Sequence, residues 1–420
     1  MNTKQKQYLL LASSILLIFG VILYLRPASY TLPREESSAR PLDFLQSTKA
    51  ENWTWDYKRD RDNFLLTRSQ CDAAFPDLYA EIERARADRL NNPITISEID
   101  SITPKNGYIR AMIYDQQLYI ISKQGSIWTR ELATLSSINR ALTTSPEPLP
   151  NIEFAFNTDD RIEEVAQWGY ARRAQDTSIW LIPDFGYWSW PEIKAGSTKE
   201  IAMKIEDDET TAGEKGWAKK KGKLLWRGVA RMGPEIRDKL LQVTAGKTWA
   251  DVRELGWGDK TSMANDYKSM PEHCGYKYVA QTEGNSYSGR LKYLQLCRSV
   301  VISHRLDWIQ HHYHLMKDSG SERNFVQVER DWRDLEEKME WLLSHDDEAE
   351  KIAENNVRTF RERYLTQAAE TCYWRRLIWA WSEVGDFEPE FYKVDENGER
   401  VWRGLSFESF LLMRKMEWQT

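Results

Sequence analysis

The segment best equipped for chemistry is Glu283-Gly284-Asn285-Ser286-Tyr287-Ser288-Gly289-Arg290. It joins an apolar run at Tyr276–Ala280, read as a strand, to a helical pattern at Leu291–Cys297. Gly284 and Gly289 let the backbone approach a ligand closely, and Ser286 and Ser288 bring small hydroxyls. A helix opening behind such a loop offers free N–H groups and a positive dipole end to a diphosphate. Arg290, in the first turn, can add bidentate contacts to phosphate oxygens. The spacing is neither a Walker loop nor G-x-G-x-x-G, so P-loop and dinucleotide readings have no support. The plain alternative is a surface turn whose arginine pairs with a neighbouring acid.

Three other segments carry reactive groups. Trp226-Arg227-Gly228 ends a strand candidate, with Arg231 close behind, and an arginine there points into a cleft or forms a structural ion pair. Asp159-Asp160 ends the apolar run Ile152–Phe156, where a carboxylate can act as a general base or sit in a solvated loop. Phe185, Tyr187, Trp188 and Trp190 lie beside Asp184 and Glu192, a set that suits a sugar or packs two domains together. His304, His311, His312 and His314 cluster in sequence, but their spacing matches no zinc site, and no metal is expected.

The elements that must position these groups alternate. Residues 62–90 read as helical, with Cys71, Phe75, Leu78 and Ile82 on one side. Strands are predicted at Tyr108–Tyr114, Leu118–Ile121, Ile152–Phe156, Ile179–Ile182, Leu224–Trp226, Tyr276–Ala280 and Val300–Ser303, with helices between them. Such alternation predicts an α/β fold with parallel sheets in two packed domains, with ligands at the strands' carboxyl ends. The expected boundaries are 1–30 tail and anchor, 31–106 stem and helical segment, 107–222 first domain, 223–365 second domain and 366–420 helical extension.

Tyr8–Leu25 holds 18 residues without a charge, roughly the least that crosses a bilayer. Lys4 and Lys6 precede it, and only Arg26 follows closely. The positive-inside rule then puts the N-terminus in the cytosol and the body in the lumen of the secretory pathway. A cleaved signal peptide is the rival, but the run is long and lacks a small-residue cleavage site. The sequon Asn52-Trp53-Thr54 and an even set of four cysteines agree with a luminal body. The net charge of −6 argues against whole-molecule attraction to nucleic acid. The 19 tryptophans suit either sugar-facing surfaces or core filling, and the core is the commoner use.

Taken together, "EHCGYKY", "EGNSYSGRLKYLQLCRSVV", "DDEAEKIAEN" and "TCYW", with the weaker "KLLWRG", "IPDFGYWSWPE" and "NTDD", resemble the CAP10-like glycosyltransferases, glycosyltransferase family 90. That family includes protein O-glucosyltransferases and fungal capsule xylosyltransferases. The resemblance implies a GT-B architecture, two Rossmann-like domains facing a cleft, behind an N-terminal transmembrane helix. It implies inverting transfer of a sugar, xylose or glucose, from a UDP-sugar to a hydroxyl of a glycan or glycoprotein, without a metal. It carries Asp160 over as the catalytic base, with Asp159 the adjacent rival. The nucleotide-sugar contacts it implies are Arg227, Gly228, Glu283, Gly284, Ser286, Ser288 and Arg290. It pairs Cys274 with Cys297 and Cys71 with Cys372, and it implies a single-pass protein of the Golgi or endoplasmic reticulum. Arg298, where the family usually has Gly, and Asn324–Val328, in place of a His-Tyr-containing stretch, depart from the pattern and bear on sugar and acceptor choice. A catalytically inactive carbohydrate-binding or scaffold protein on the same fold is the alternative, and a glycoside hydrolase with paired carboxylates is a third class.

Overall fold

The first sheet is built around a tight hairpin. β1 (Tyr108–Tyr114) and β2 (Gln117–Lys123) are joined by Asp115 and Gln116 alone, both at positive φ. Those angles are what a two-residue hairpin turn needs, and the Gln116 side chain clamps the turn by bonding both ways to the Leu149 backbone. β3 (Ile152–Asn157) lies on the other side of β1, also antiparallel. β4 (Gln167–Gly169) and β5 (Trp180–Leu181) then extend the sheet in parallel from β3. The first region is therefore mixed rather than Rossmann-like throughout. A two-residue turn cannot return a chain in parallel, because that needs a crossover of a dozen residues or more.

The second sheet is wholly parallel. β6 (Lys221–Gly228), β7 (Ala250–Glu254), β8 (Tyr276–Gln281), β9 (Val300–His304) and β10 (Val326–Val328) stand in the order β10-β9-β8-β6-β7. Numbered within the sheet this is the doubly wound 2-1-3-4-5 order read from the far edge. Its direction of winding reverses between β6 and β8. Connections leave the carboxyl ends of those two strands in opposite senses, which opens a crevice there. Both segments singled out from sequence, Trp226-Arg227-Gly228 and the 283–290 loop, follow from β6 and β8.

The computed structural model describes residues 53–417 apart from 126–128, 163–165, 212–215, 257 and 259. The expected anchor at residues 8–25 and Asn52 of the sequon lie outside the described residues. Among those described, no helix is long and apolar enough to cross a membrane. The described residues from Thr54 onward form one compact unit. The segment read as one helix over 62–90 is two, Arg68–Ala74 and Ala80–Arg89, interrupted at Phe75-Pro76, where proline cannot continue a helix. Cys71, Phe75, Leu78 and Ile82 are all buried, as their spacing required.

Two features tie the sheets together. The helix Gln367–Val384 returns from the second region and packs on the first sheet, with the Trp381 indole donating to the Glu153 carbonyl at 3.0 Å. Trp168, Trp180, Trp374 and Trp381 form a ring-on-ring cluster there, so these indoles fill core. The disulfides are Cys71–Cys372 and Cys274–Cys297, the pairing the resemblance implied. The first fastens an early helix to the returning one; the second pins the turn before β8 to the end of the helix after it.

Candidate functional site

A cleft of about 380 Å³ opens where β6 and β8 end and faces the carboxyl end of β3. Asp160 reaches it because the chain turns just past β3. The Asn157 side chain accepts from the Asp159 N–H at 2.7 Å, and Asp159 in turn accepts from the Asp160 N–H. That turn leaves Asp159 exposed and brings Asp160 to the cleft wall. The Asp160 carboxylate accepts from Arg130 at 3.0 Å and from the Asn285 amide at 3.2 Å. It thus receives one donor from the first region and one from the 283–290 loop of the second. A carboxylate has about four acceptor positions, so lone pairs remain for a further donor.

The opposite wall is cationic. Arg290 and Arg237 both line the cleft, and neither has a carboxylate partner among the described residues. Burial, then the charge of Arg237, draws the Arg290 guanidinium down to about 9. Arg237 is drawn down to about 10, chiefly by burial. It is held in place by donating to the Glu283 carbonyl at 3.0 Å and the Val229 carbonyl at 2.8 Å. Two guanidiniums that have lost water and gained no counter-ion stabilise any anion that enters. Gly284 allows the packing: a β-carbon there would meet both the Arg237 guanidinium and the Met232 carbonyl at 3.0 Å.

The other candidates divide. Gly228 and Ser288 line the cleft beside Gly284. Arg227 also borders it, but its guanidinium is taken up by Asp251 at 2.7 Å and by the carbonyls of Asp266, Trp226 and Asp251. Of its two readings the geometry holds the structural ion pair, which fastens the end of β6 to β7. Glu283 turns away from the cleft. It is buried, accepts from the Asp307 and Trp308 N–H groups at 2.9 and 2.8 Å, and pairs with Arg330 at 2.7 Å. Ser286 is buried and lies outside the cleft lining. The helix after the loop spans only Leu291–Gln295, a single turn, so the guanidiniums rather than a long helix dipole supply the positive field.

Sequence reasoning passed over three residues. Arg130 opens the helix Thr129–Thr143, its guanidinium 4.7 Å from the Phe185 ring. Arg237 sits in the first turn of Pro234–Thr244, and Pro at that helix's start was the available signal. His273 lies within the "EHCGYKY" stretch. His304, His311 and His312 are core groups: His304 accepts the Glu283 N–H at 3.0 Å, and His312 donates to Gln295 at 3.0 Å, whereas His314 is half-buried and His345 exposed. Among the described residues no three His, Cys, Asp or Glu side chains are grouped to hold a metal ion.

A family model described as glycosyl transferase family 90 matches residues 68–401. The human protein O-glucosyltransferase 1 is 26% identical over 261 residues, which cover 56% of this chain and 63% of the human protein. The O-glucosyltransferase rumi homolog of Aedes aegypti is 26% identical over 283 residues, covering 61% of this chain and 67% of that one. The chain thus spans less than two thirds of the human relative it matches. The crystal structure of Anabaena Alr3699/HepE in complex with UDP-glucose superposes with a TM-score of 0.27 and 12% identity, over 44% of this chain and 53% of that one, too slight a likeness to argue from. The chain belongs to glycosyl transferase family 90.

Proposed function

We propose that this member of glycosyl transferase family 90 moves a sugar from a UDP-sugar to a hydroxyl of a glycan or glycoprotein, with inversion. One observation carries the reading: a carboxylate, Asp160, faces two uncompensated guanidiniums, Arg290 and Arg237, across a single cleft. In this reading the architecture is GT-B, with residues 107–222 as the acceptor lobe and 223–365 as the nucleotide-sugar lobe. Glucose is the first donor sugar to test, after the names of the relatives, and xylose the second. The chain would be anchored through residues 8–25, with its body in the Golgi or endoplasmic reticulum lumen.

Asp160 takes the proton of the acceptor hydroxyl as that oxygen forms its bond to the anomeric carbon. The bond from that carbon to the diphosphate oxygen breaks on the opposite face, and UDP leaves with the electron pair. The charge growing on the leaving oxygen is met by Arg290 and Arg237, which do for the diphosphate what a metal ion does in other transferases. Arg130 and Asn285 hold the base in line. Arg227 acts at one remove by fixing the end of β6.

The test is UDP release by the full chain from a panel of UDP-sugars, with and without glycan and glycoprotein acceptors, beside Asp160→Asn. A positioned base contributes roughly 10²–10⁴ in rate, so the variant should lose at least about a hundredfold while binding UDP normally. Transfer within twofold of the parent would remove Asp160 from the reaction. UDP binding with no turnover on any donor would favour the inactive carbohydrate-binding alternative.

A further inference from the structure

Part of the cleft is a less polar wall built from residues that follow β7 and precede β8. Leu255 and Met270 line it, with Tyr267 at its side. Tyr267 is fixed there by donating to the Ile193 carbonyl at 2.8 Å. The His273 side chain, which is 2% exposed, belongs to the same wall. Its Nδ1 lies 2.8 Å from the Ser269 carbonyl. A carbonyl can only accept, so Nδ1 carries the proton and Nε2 is left with a bare lone pair. Among the described residues Nε2 has no hydrogen-bond partner. Burial, then the charge of Arg290, pushes this imidazole down to about 4, which keeps it neutral at any physiological pH.

The ring is held with care. Ser269 and Glu272 form a reciprocal capping box around the Met270–His273 turn. The disulfide Cys274–Cys297 then ties the residue after His273 to the far end of the Leu291–Gln295 turn, which begins next to Arg290. His273 and Arg290 are therefore braced against one another. A buried, unpartnered acceptor costs stability unless a donor meets it, and here the walls around it are largely apolar. A flat, mostly apolar ring bearing one N–H fits that description.

We infer that His273 reads the nucleobase of the donor, its Nε2 accepting a ring N–H of the kind uracil carries at N3 and cytosine lacks. The inference rests on the reading of the cleft as a nucleotide-sugar site and adds to it the residue that chooses the base. Cytosine would set its own N3 lone pair against that of Nε2. Uracil and cytosine are nearly the same size and differ only at N3 and the adjoining C4 substituent, a carbonyl in one and an amine in the other, so comparing them reads that edge of the ring.

Calorimetric binding of UDP, CDP and inorganic pyrophosphate to the full chain tests it, beside His273→Phe and His273→Gln. The parent should prefer UDP to CDP by at least about tenfold. His273→Phe should lose about that factor for UDP, keep pyrophosphate within twofold, and no longer distinguish the two nucleotides. His273→Gln, whose amide oxygen accepts from a similar position, should recover part of the preference. Equal affinity of the parent for UDP and CDP overturns the inference without any variant and leaves the donor-site reading standing. Loss of UDP affinity in His273→Phe together with equal parental binding of UDP and CDP would move the contact to the ribose, and also overturns it. A parent that binds neither nucleotide nor pyrophosphate overturns the donor-site reading, and this inference with it.

Discussion

Two places in this molecule hold cationic side chains close together and wholly or partly out of water, and they treat them in opposite ways. At the seam between the two sheets, Lys292 meets Asp184 at 2.7 Å, with the side chains 2% and 1% exposed. Asp184 is further satisfied by the Gly186 N–H at 2.8 Å and the Gln310 amide at 3.3 Å, and Lys292 also donates to the Gly289 carbonyl at 2.6 Å. Nearby, the Tyr293 hydroxyl donates to the Gly186 carbonyl at 2.8 Å. In the cleft, Arg237 and the half-buried Arg290 have given up part of their water and, among the described residues, found no carboxylate. Both regions pay desolvation; only the seam is compensated from within the chain. A closed charge balance marks a rivet, and an open one marks a place for a ligand.

The comparison is broken most forcefully at the seam. Lys292→Met leaves Asp184 buried without its cation, which should cost about 3–5 kcal/mol of folding stability. Denaturant unfolding measures it, and the double change with Asp184→Leu should recover much of the loss. A single variant as stable as the parent would mean that the pair is not a rivet.

The matching change in the cleft should behave differently. Arg290→Met removes a cation that nothing compensates, so the unliganded protein should unfold at or above the parent's temperature. Its UDP affinity should nevertheless fall by about ten- to a hundredfold, since charge-assisted hydrogen bonds contribute about 1.5–3 kcal/mol. Thermal shift with and without UDP reads both at once. A stability loss like that of Lys292→Met, with UDP affinity intact, would place Arg290 on the structural side.

A further effect appears with pH. His273 and His304 are pushed down to about 4 and His312 to about 3, in each case chiefly by burial. Their folded values lie below the ordinary 6.5, so between pH 6.5 and about 4 the unfolded chain binds more protons than the folded one. Stability should therefore be full above pH 6.5 and fall as the pH drops, by up to about 1.4 kcal/mol per unit for each group. Urea midpoints at pH 7, 6 and 5 measure the slope, and His312→Gln should lessen it. A level profile would mean that these imidazoles are not held neutral.

How much of this was legible beforehand follows from the range of each interaction. The strands at Ile152–Phe156, Tyr276–Ala280 and Val300–Ser303 were readable because apolar runs bounded by polar turns are local signals. The short β4, β7 and β10 were not, since Gln-Trp-Gly, Ala-Asp-Val-Arg-Glu and Val-Gln-Val hold no apolar run and take their pairing from neighbours. Gly284, Ser288 and Arg290 were found from the loop's composition. Glu283 and Ser286, from the same loop, turn inward, because composition does not fix which face of a turn a side chain takes. Arg227 could be either ligand contact or ion pair until Asp251, 24 residues away, was seen against it.

By itself, then, the amino-acid sequence determined the α/β alternation, the loops that end at the cleft, the residues a disulfide could join and the family. Tertiary structure alone decided the antiparallel hairpin within the first sheet, the meeting of Asp160 with Asn285 across 125 residues, and the placing of Arg130, Arg237 and His273 at the cleft. The reason is physical. Propensity and periodicity act over a few residues and leave their mark in order, whereas desolvation and charge pairing depend on distance through space. Whether a buried cation is a rivet or an invitation is settled by what stands within 3 Å of it, and the chain brings that neighbour from anywhere along its length.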